Sequence, residues 1–522
     1  LVVLTGVIII SSAVGGRHRV RVMAFAASSP SSSSSSPSRF QTKRFNKVNN
    51  NKDEQNKEKI ITMLQSPHPI YSPIEKLEQT IEDCKKLGIT EWDIYGDFDK
   101  QAGSASSASF LRSFENEISQ EFGKEDGVFM PSGGMAQSIA LLIHSNTHTN
   151  SNTNNDDDDD EKNSKSKSKK KLSFICHETS HLLLHEQDGY RELCGLDAIP
   201  LPHNDIGLGL GASPLLYQHV QDYFEEQRQN NDNDNDNDVK ESMISTIMLE
   251  LPHRELGGKI TPWEDIIQLR KFATTHDIKL HCDGARIFEA TTATGYNQHN
   301  KSSLVELVDP FDSVYISFYK GLGGMSGAML LGSKEFCDEA RVWLRRFGGN
   351  LYTLLPYAVS GWAGYKRHWK DRTKINNGDD ENNNDDNVEQ PMMTFQDKKD
   401  KLVHIVKELS SSSNNQKSIL LFEPSIPEVN MVHCYLRPSK ETCELIRDEI
   451  INEYNGISIF HRLRPIEEEE EDGVDYVAFQ KGYRCKFELS IGEANGNIPT
   501  KIWIQAWSAF FNKVTLLSSS ES

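Results

Sequence analysis

Short runs of apolar, β-branched and aromatic residues recur along the chain. They alternate with longer stretches in which apolar positions return every three or four residues. GVFM (127–130), KLSFIC (171–176), MISTIMLEL (243–251), IKLHCD (278–283) and SVYISF (313–318) are the short runs, and each predicts a buried strand. MAQSIALLIH after the first run and TPWEDIIQLRKFATTHD (261–277) before the fourth carry helical periodicity. In the second of these, Thr261 reads as the N-cap and Pro262 as the first helical residue. Strands alternating with helices predict an α/β fold built on a mostly parallel sheet. The helices and strands after about residue 395 predict a smaller α/β domain.

Polar tracts at about 145–171, 226–240, 374–391 and 409–417 interrupt this pattern. A −EEEEED− run near residue 470 makes a fifth. Such tracts cannot bury enough surface to fold and read as insertions in surface loops. The first residues, Leu1 to Val14, are apolar and begin without Met; residues 15–52 hold Arg and Ser but no Asp or Glu. That is the composition of an organelle transit peptide, so a plastid or mitochondrion is expected, with the cytoplasm as the alternative. The expected division is a leader over 1–58, a large cofactor-binding domain over 59–372, a linker insertion over 373–394 and a small domain over 395–522.

The formal charge of −19 owes twelve of its acids to two runs, 156–161 and 467–472, which read as solvated. No basic footprint for nucleic acid stands out. No apolar stretch approaches the roughly 20 residues that span a bilayer. Eight scattered cysteines without a C-x-x-C pair argue against a disulfide framework and favour a reducing compartment.

Three stations carry chemistry. PSGGMAQSIALL (131–142) ends a strand, turns at Ser132, Gly133 and Gly134, and opens a helix, which offers an anion free N–H groups and the positive helix end. In LHCDGARIFEA (280–290), Asp283 falls at the C-terminal end of a strand, where open α/β sheets bind ligands, and Arg286 follows. Lys320 stands between the apolar run SVYISF and four glycines, 37 residues after Asp283 (320 − 283), one strand–helix–strand step away. Each station alone also fits an ordinary turn, a helix-capping Asp or a surface lysine. Together they match pyridoxal phosphate, whose phosphate wants a helix N-terminus, whose ring nitrogen wants a carboxylate and whose aldehyde wants a lysine.

The segments D-I-Y-G, F-G-K-E, P-S-G-G-M, S-H, H-C-D-G-A-R-I-F, K-G-L-G and G-S-K-E-F, spread over about residues 93–365, resemble the low-specificity threonine aldolases, grouped with β-eliminating lyases. The resemblance implies the pyridoxal phosphate type I (aspartate aminotransferase-like) fold. It implies an enzyme that cleaves a β-hydroxy-α-amino acid to glycine and an aldehyde, working as a homodimer or homotetramer. It makes Lys320 the Schiff-base lysine, Asp283 the partner of the ring nitrogen, and Ser132, Gly133 and Gly134 the phosphate cradle. Arg286 would contact the cofactor's phenolic oxygen or a substrate carboxylate. His181 would stack on the ring and help deprotonate the β-hydroxyl.

Departures from the family are equally specific. Gly134 stands where Thr is common, and Tyr319 where Ser is usual before the lysine. LELPHRELGG (249–258) keeps only Glu250, His253 and the glycines of its counterpart, Tyr352 replaces an arginine, and no R-S-D-T-V-T segment is found. Glu488 falls at or near an arginine that grips the substrate carboxylate. Arg484 and Lys486 share its strand face, and Arg484 is the candidate substitute. Other readings are a different pyridoxal phosphate β-eliminating lyase or aminotransferase-like enzyme, and a non-catalytic scaffold relative. HETSH (177–181) also matches the H-E-x-x-H zinc-peptidase signature. A strand running into His177 argues against it.

Overall fold

The apolar runs come together in a computed structural model that describes residues 62–90, 109–151, 172–202, 210–233, 243–298, 303–352, 354–371, 392–411, 418–454, 456–468 and 475–520. Thirteen strands form among them: β1 (Thr62–Met63), β2 (Asp126–Met130), β3 (Leu172–His177), β4 (Asp197–Leu201), β5 (Met243–Glu250), β6 (Lys279–Gly284), β7 (Ser313–Ser317), β8 (Ala328–Gly332), β9 (Leu420–Glu423), β10 (Met431–Leu436), β11 (Ile457–Ser458), β12 (Arg464–Pro465) and β13 (Cys485–Ser490). The large sheet has the order β2-β8-β7-β6-β5-β3-β4. Its strands β7, β6, β5, β3 and β4 are parallel, whereas β8 runs antiparallel to both β7 and β2. Strands β2, β7 and β8 are buried at every position, as expected of a sheet covered on both faces, and this is why β2 and β7 read as short apolar runs. The sheet is therefore mostly parallel, with one antiparallel intruder that the glycine-rich approach to Ala328 concealed.

Three helices differ from their expected extents. The helix over Trp263–Thr275 begins with Pro262 at the N-cap. Thr261 is not the cap because its hydroxyl is buried and donates to the Leu215 carbonyl at 3.3 Å. The helices Gly133–Ser151 and Tyr217–Asn233 run into the polar tracts expected to be loops. Once a helix is nucleated on a packed core, each added residue gains a backbone bond, and polar residues can be carried for a turn or two. The leader over 1–58 and the tract 374–391 lie outside the described residues, as does most of the remaining tracts. Among the described residues no helix is long and apolar enough to cross a membrane.

The smaller antiparallel sheet has the order β12-β13-β10-β9. The helices Phe395–Ser411, Lys440–Glu453 and Thr500–Ser520 accompany it. Its core holds Trp503, Trp507, Phe510, Phe487 and Phe460. The segment from residue 62 to Pro67 joins this part of the protein rather than the large sheet. β1 pairs in parallel with β11, Leu64 is buried in the same core, and Asn495 Nδ2 donates to the Leu64 carbonyl at 2.7 Å.

Candidate active site

The anion cradle comes first in the chain. β2 ends at Met130, and a 19-residue helix starts at Gly133. Ser132 Oγ accepts from the Met135 N–H at 3.4 Å, as an N-cap does. Both glycines lie under other side chains. A Cβ on Gly133 would fall 2.1 Å from Tyr315 Oη, and one on Gly134 would fall 2.4 Å from a Glu186 carboxyl oxygen. Tyr315 is a buried ring that cannot move aside, whereas Glu186 is half-exposed and can swing out. Gly133→Ala should therefore lower stability by ~1–3 kcal/mol through overpacking, and Gly134→Ala should change it far less. Thermal melts of the two variants check this, and equal melting points would contradict the packing described.

Neighbouring strands carry the acid. Glu250, Asp283 and Tyr315 stand side by side across β5, β6 and β7. Asp283 is 1% exposed. It accepts from Gln137 Nε2 at 2.6 Å and from the Ala285 N–H at 3.1 Å, and neither donor is charged. Burial, reinforced by the Glu250 charge, pushes its carboxyl up to about 7. A cationic N–H would relieve that strain. Gln137 comes from the first turns of the Gly133 helix and ties the cradle to the acid, and no described residue hydrogen-bonds its buried Oε1.

His181 opens the short helix His181–His185. Its backbone N–H donates to Glu250 Oε2 at 3.3 Å, and its Nε2 lies 3.3 Å from Glu186 Oε1. The Glu186 hydrogen bond raises the imidazole above its ordinary value, with the Glu250 and Asp283 charges adding to it. Glu186 thus spans the space between Gly134 and His181.

Lys320 lies just past β7, at the start of the glycine turn. It walls a cavity of about 290 Å³ together with Arg286, Glu289, Lys398 and Glu488. That is close to the lower end of the range for small-molecule sites. Lys320 Nζ sits 4.8 Å from the centre of the Tyr319 ring, so the replacement of the usual Ser gives the amine an aromatic neighbour. Burial, then the charges of Arg286 and Arg254, lower its ammonium to about 8, while Glu488 and Asp283 pull the other way. The structure thus brings Lys320 and Arg286 into one cavity. Asp283, Ser132, Gly133, Gly134 and His181 do not wall it; Asp283 stands on β6, the parallel neighbour of the strand that leads to Lys320, and Glu186 bridges Gly134 and His181.

Arg484 is a correction. It is exposed, donates to the carbonyls of Phe479 and Tyr483, lies over the Phe479 ring and does not wall the cavity. Lys486 is no substitute either, because it is buried against Asp475 at 2.5 Å. Glu488 itself enters the cavity, paired with Arg254 Nε at 2.9 Å and Arg286 Nη2 at 3.5 Å. Burial works against its charge, but the two guanidinium groups outweigh it and hold the carboxyl down to about 2.

HETSH does not form a metal site. His177 ends β3 and His181 begins the next helix, so the two are not on one helical face. Both His177 nitrogens are occupied, Nε2 with the Ser213 carbonyl at 3.0 Å and Nδ1 with Thr179. Among the described residues no group of His, Cys, Asp and Glu could hold a metal ion.

Sequence reasoning missed Gln137, Glu186, Glu289, Lys398 and Arg254. For Glu289 a signal existed: an acid flanked by Ile287, Phe288 and Ala290 in an otherwise apolar turn.

A parallel sheet with an amine, a buried acid and a helix N-terminus gathered at its C-terminal edge defines a class of cofactor enzyme, and sequence comparison narrows it. The chain belongs to the β-eliminating lyase family, which residues 99–407 match. The Arabidopsis thaliana protein named "Probable low-specificity L-threonine aldolase 2" is 29% identical over 239 residues, covering 45% of this chain and 55% of that one. The low-specificity L-threonine aldolase of Escherichia coli O157:H7 is 26% identical over 276 residues, covering 53% and 66%. The chain thus spans about half the length of the first of these relatives. A crystal structure from Listeria monocytogenes EGD-E, assigned as an L-allo-threonine aldolase, is 25% identical and covers 87% of this chain and 97% of its own, with a TM-score of 0.62. The fold is that of the pyridoxal phosphate-dependent threonine aldolases, type I.

Proposed function

We propose that this protein is a pyridoxal phosphate-dependent lyase that cleaves a β-hydroxy-α-amino acid, of the threonine kind, to glycine and an aldehyde. The observation that carries the reading is the meeting of Lys320, Asp283 and the Gly133 helix at one edge of one sheet. The fit to the cofactor rests on three features. Asp283 is buried with neutral donors only, Lys320 has a weakened ammonium inside a cavity, and the helix N-terminus begins with two glycines that add no side chain of their own beneath Tyr315 and the half-exposed Glu186. Bound there, pyridoxal phosphate supplies a sink for the electron pair left on Cα when the Cα–Cβ bond breaks.

In this reading Lys320 carries the covalent link to the cofactor. Asp283 holds a proton on the ring nitrogen. Ser132, Gly133 and Gly134 hold the phosphate through backbone N–H groups and the helix end. His181, kept in place by Glu186 and Glu250, would stack on the ring. Arg286 takes the substrate carboxylate. Its link to Glu488 is long at 3.5 Å and engages one nitrogen, which leaves N–H groups for a second anion. Glu488 orients Arg286 and Arg254 in place of the arginine the family has there.

Lys320 would hold the cofactor covalently only through its unprotonated amine. Cofactor uptake should therefore speed up as pH rises through about 8, followed by absorbance after mixing unloaded protein with pyridoxal phosphate. A rate flat across that pH would contradict the lowered ammonium. The function itself is tested by product analysis of the loaded protein on threonine and related amino acids. Glycine with an aldehyde supports the lyase, ammonia with a keto acid would mean elimination, and cofactor retention without products would mean a non-catalytic relative.

A homo-oligomer belongs to the same reading. The helix Pro73–Lys86 exposes Ile74, Leu77 and Ile81 along one stripe, an apolar face suited to a second copy. A single-chain mass in light scattering would remove that part.

A further inference from the structure

Glu289 stands apart from the other buried ionisable groups. It lies on the short helix Ile287–Ala290, three residues after Arg286, and is 4% exposed. No described residue hydrogen-bonds its Oε2. A buried polar atom left without a partner costs ~1–3 kcal/mol, so a ligand atom is its natural complement. Glu289 walls the cavity that holds Lys320. Its other oxygen, Oε1, presses on the residue after that lysine, where a Cβ on Gly321 would come within 2.4 Å. The glycine is what allows the carboxyl to sit beside the lysine turn.

Of the other groups that could move a proton, His68 also walls the cavity, but burial and the surrounding cations lower its imidazole to about 4, which makes it a weaker base than Glu289. Glu488 is tied to Arg254 and Arg286 and stays ionised. Glu493 faces His368 at 3.8 Å. His181 is bonded to Glu186 and does not wall the cavity. The charges facing Glu289 come from Arg286 on its own helix, Lys320 after β7 and Lys398 on the helix Phe395–Ser411. Burial outweighs them and lifts the carboxyl to about 7, so both protonation states are accessible near neutrality.

We propose that Glu289 is a catalytic residue that exchanges a proton with the β-oxygen of the substrate. The inference rests on the lyase reading above. As the Cα–Cβ bond breaks, the β-hydroxyl O–H bond breaks too, and its proton passes to the Glu289 carboxylate. The O–H electron pair becomes the second bond of the aldehyde carbonyl, while the Cα–Cβ pair stays with Cα. A proton then reaches Cα and completes glycine. One β-hydroxy amino acid gives one aldehyde and one glycine, with no oxidant or reductant.

The test compares wild type, Glu289→Gln and Glu289→Asp, each loaded with pyridoxal phosphate. Glu289→Gln should load normally, as judged by visible absorbance. It should keep exchange of the glycine α-hydrogen with solvent deuterium, which involves no β-oxygen. Its aldehyde release from threonine should fall roughly 10²–10⁴-fold, the range of general acid–base catalysis, and Glu289→Asp should recover part of it. Wild-type kcat/KM should rise with pH through about 7, because the accepting form is the carboxylate, and this limb should be absent in Glu289→Gln. In the unloaded protein, infrared difference spectra should show carboxylic acid C=O intensity that titrates near the same pH, and Glu289→Gln should lose the Glu289 share of it while the shares of Asp283 and Glu178 remain. Cleavage at the wild-type rate in Glu289→Gln would overturn the inference, as would equal loss of α-exchange and cleavage in both variants. A wild-type protein that releases no glycine from any β-hydroxy amino acid would overturn the lyase reading as well.

Discussion

Lys320→Ala will fold, and it will cleave no β-hydroxy amino acid at a useful rate. The expected loss is on the order of 10⁴-fold or more, the scale on which removing a covalent nucleophile acts. Two structural facts make the loss specific. The lysine's own side chain is not part of the packed core, since Phe318 and Leu322 on either side supply the apolar anchoring. The turn is held by backbone bonds, from the Gly324 N–H to the Phe318 carbonyl at 2.8 Å and from the Gly323 N–H to the Lys320 carbonyl at 3.0 Å, and an alanine keeps them. Removing an amine whose ammonium is already destabilised by burial and two arginines should leave the melting temperature unchanged or slightly raised. Circular dichroism melts and a product assay on the same sample separate the two effects. A variant that unfolds, or one that still cleaves, would contradict this assignment.

Asp283→Asn is the second large effect. The amide has nearly the same shape and can still accept from the Ala285 N–H, but it has no charge to hold a proton on a ring nitrogen. The position amplifies the difference, because a charge 1% exposed acts across a poorly screened medium. Cleavage should fall by ~10²–10³-fold, the scale of losing one preorganised electrostatic contact, while the cofactor stays attached through Lys320. The apo variant should be at least as stable as wild type near neutral pH, since the buried acid beside Glu250 is no longer there to be charged. Full activity in Asp283→Asn would mean that the acid is not the ring's partner.

The parts of the site that could be read from sequence are those controlled by local periodicity. Asp283 and Lys320 end neighbouring runs of strand character, and 37 residues is the length of one return path across the sheet, so their convergence follows from chain geometry. Gly133 and Gly134 announce a turn between a strand and a helix. The unreadable parts depend on meetings between distant segments. Glu488 and Arg254 are 234 residues apart, and only the docking of the small antiparallel sheet brings them together. Arg484 looked suitable because side chains alternate along a strand. It lies just before β13, however, and its guanidinium is drawn to the carbonyls of a local turn. β8 escaped notice because its five residues follow directly on a glycine-rich turn, and the Thr261 cap failed because a buried carbonyl competes for the hydroxyl.

The central claim is that one lysine in this cavity holds the cofactor. Lys398 is its built-in competitor, because it is buried and walls the same space. The direct measurement is to load the protein with pyridoxal phosphate, reduce with borohydride, digest, and locate the modified lysine by mass spectrometry. A single modified peptide containing Lys320 is the predicted result. Modification at Lys398, at scattered surface lysines or at none would contradict it.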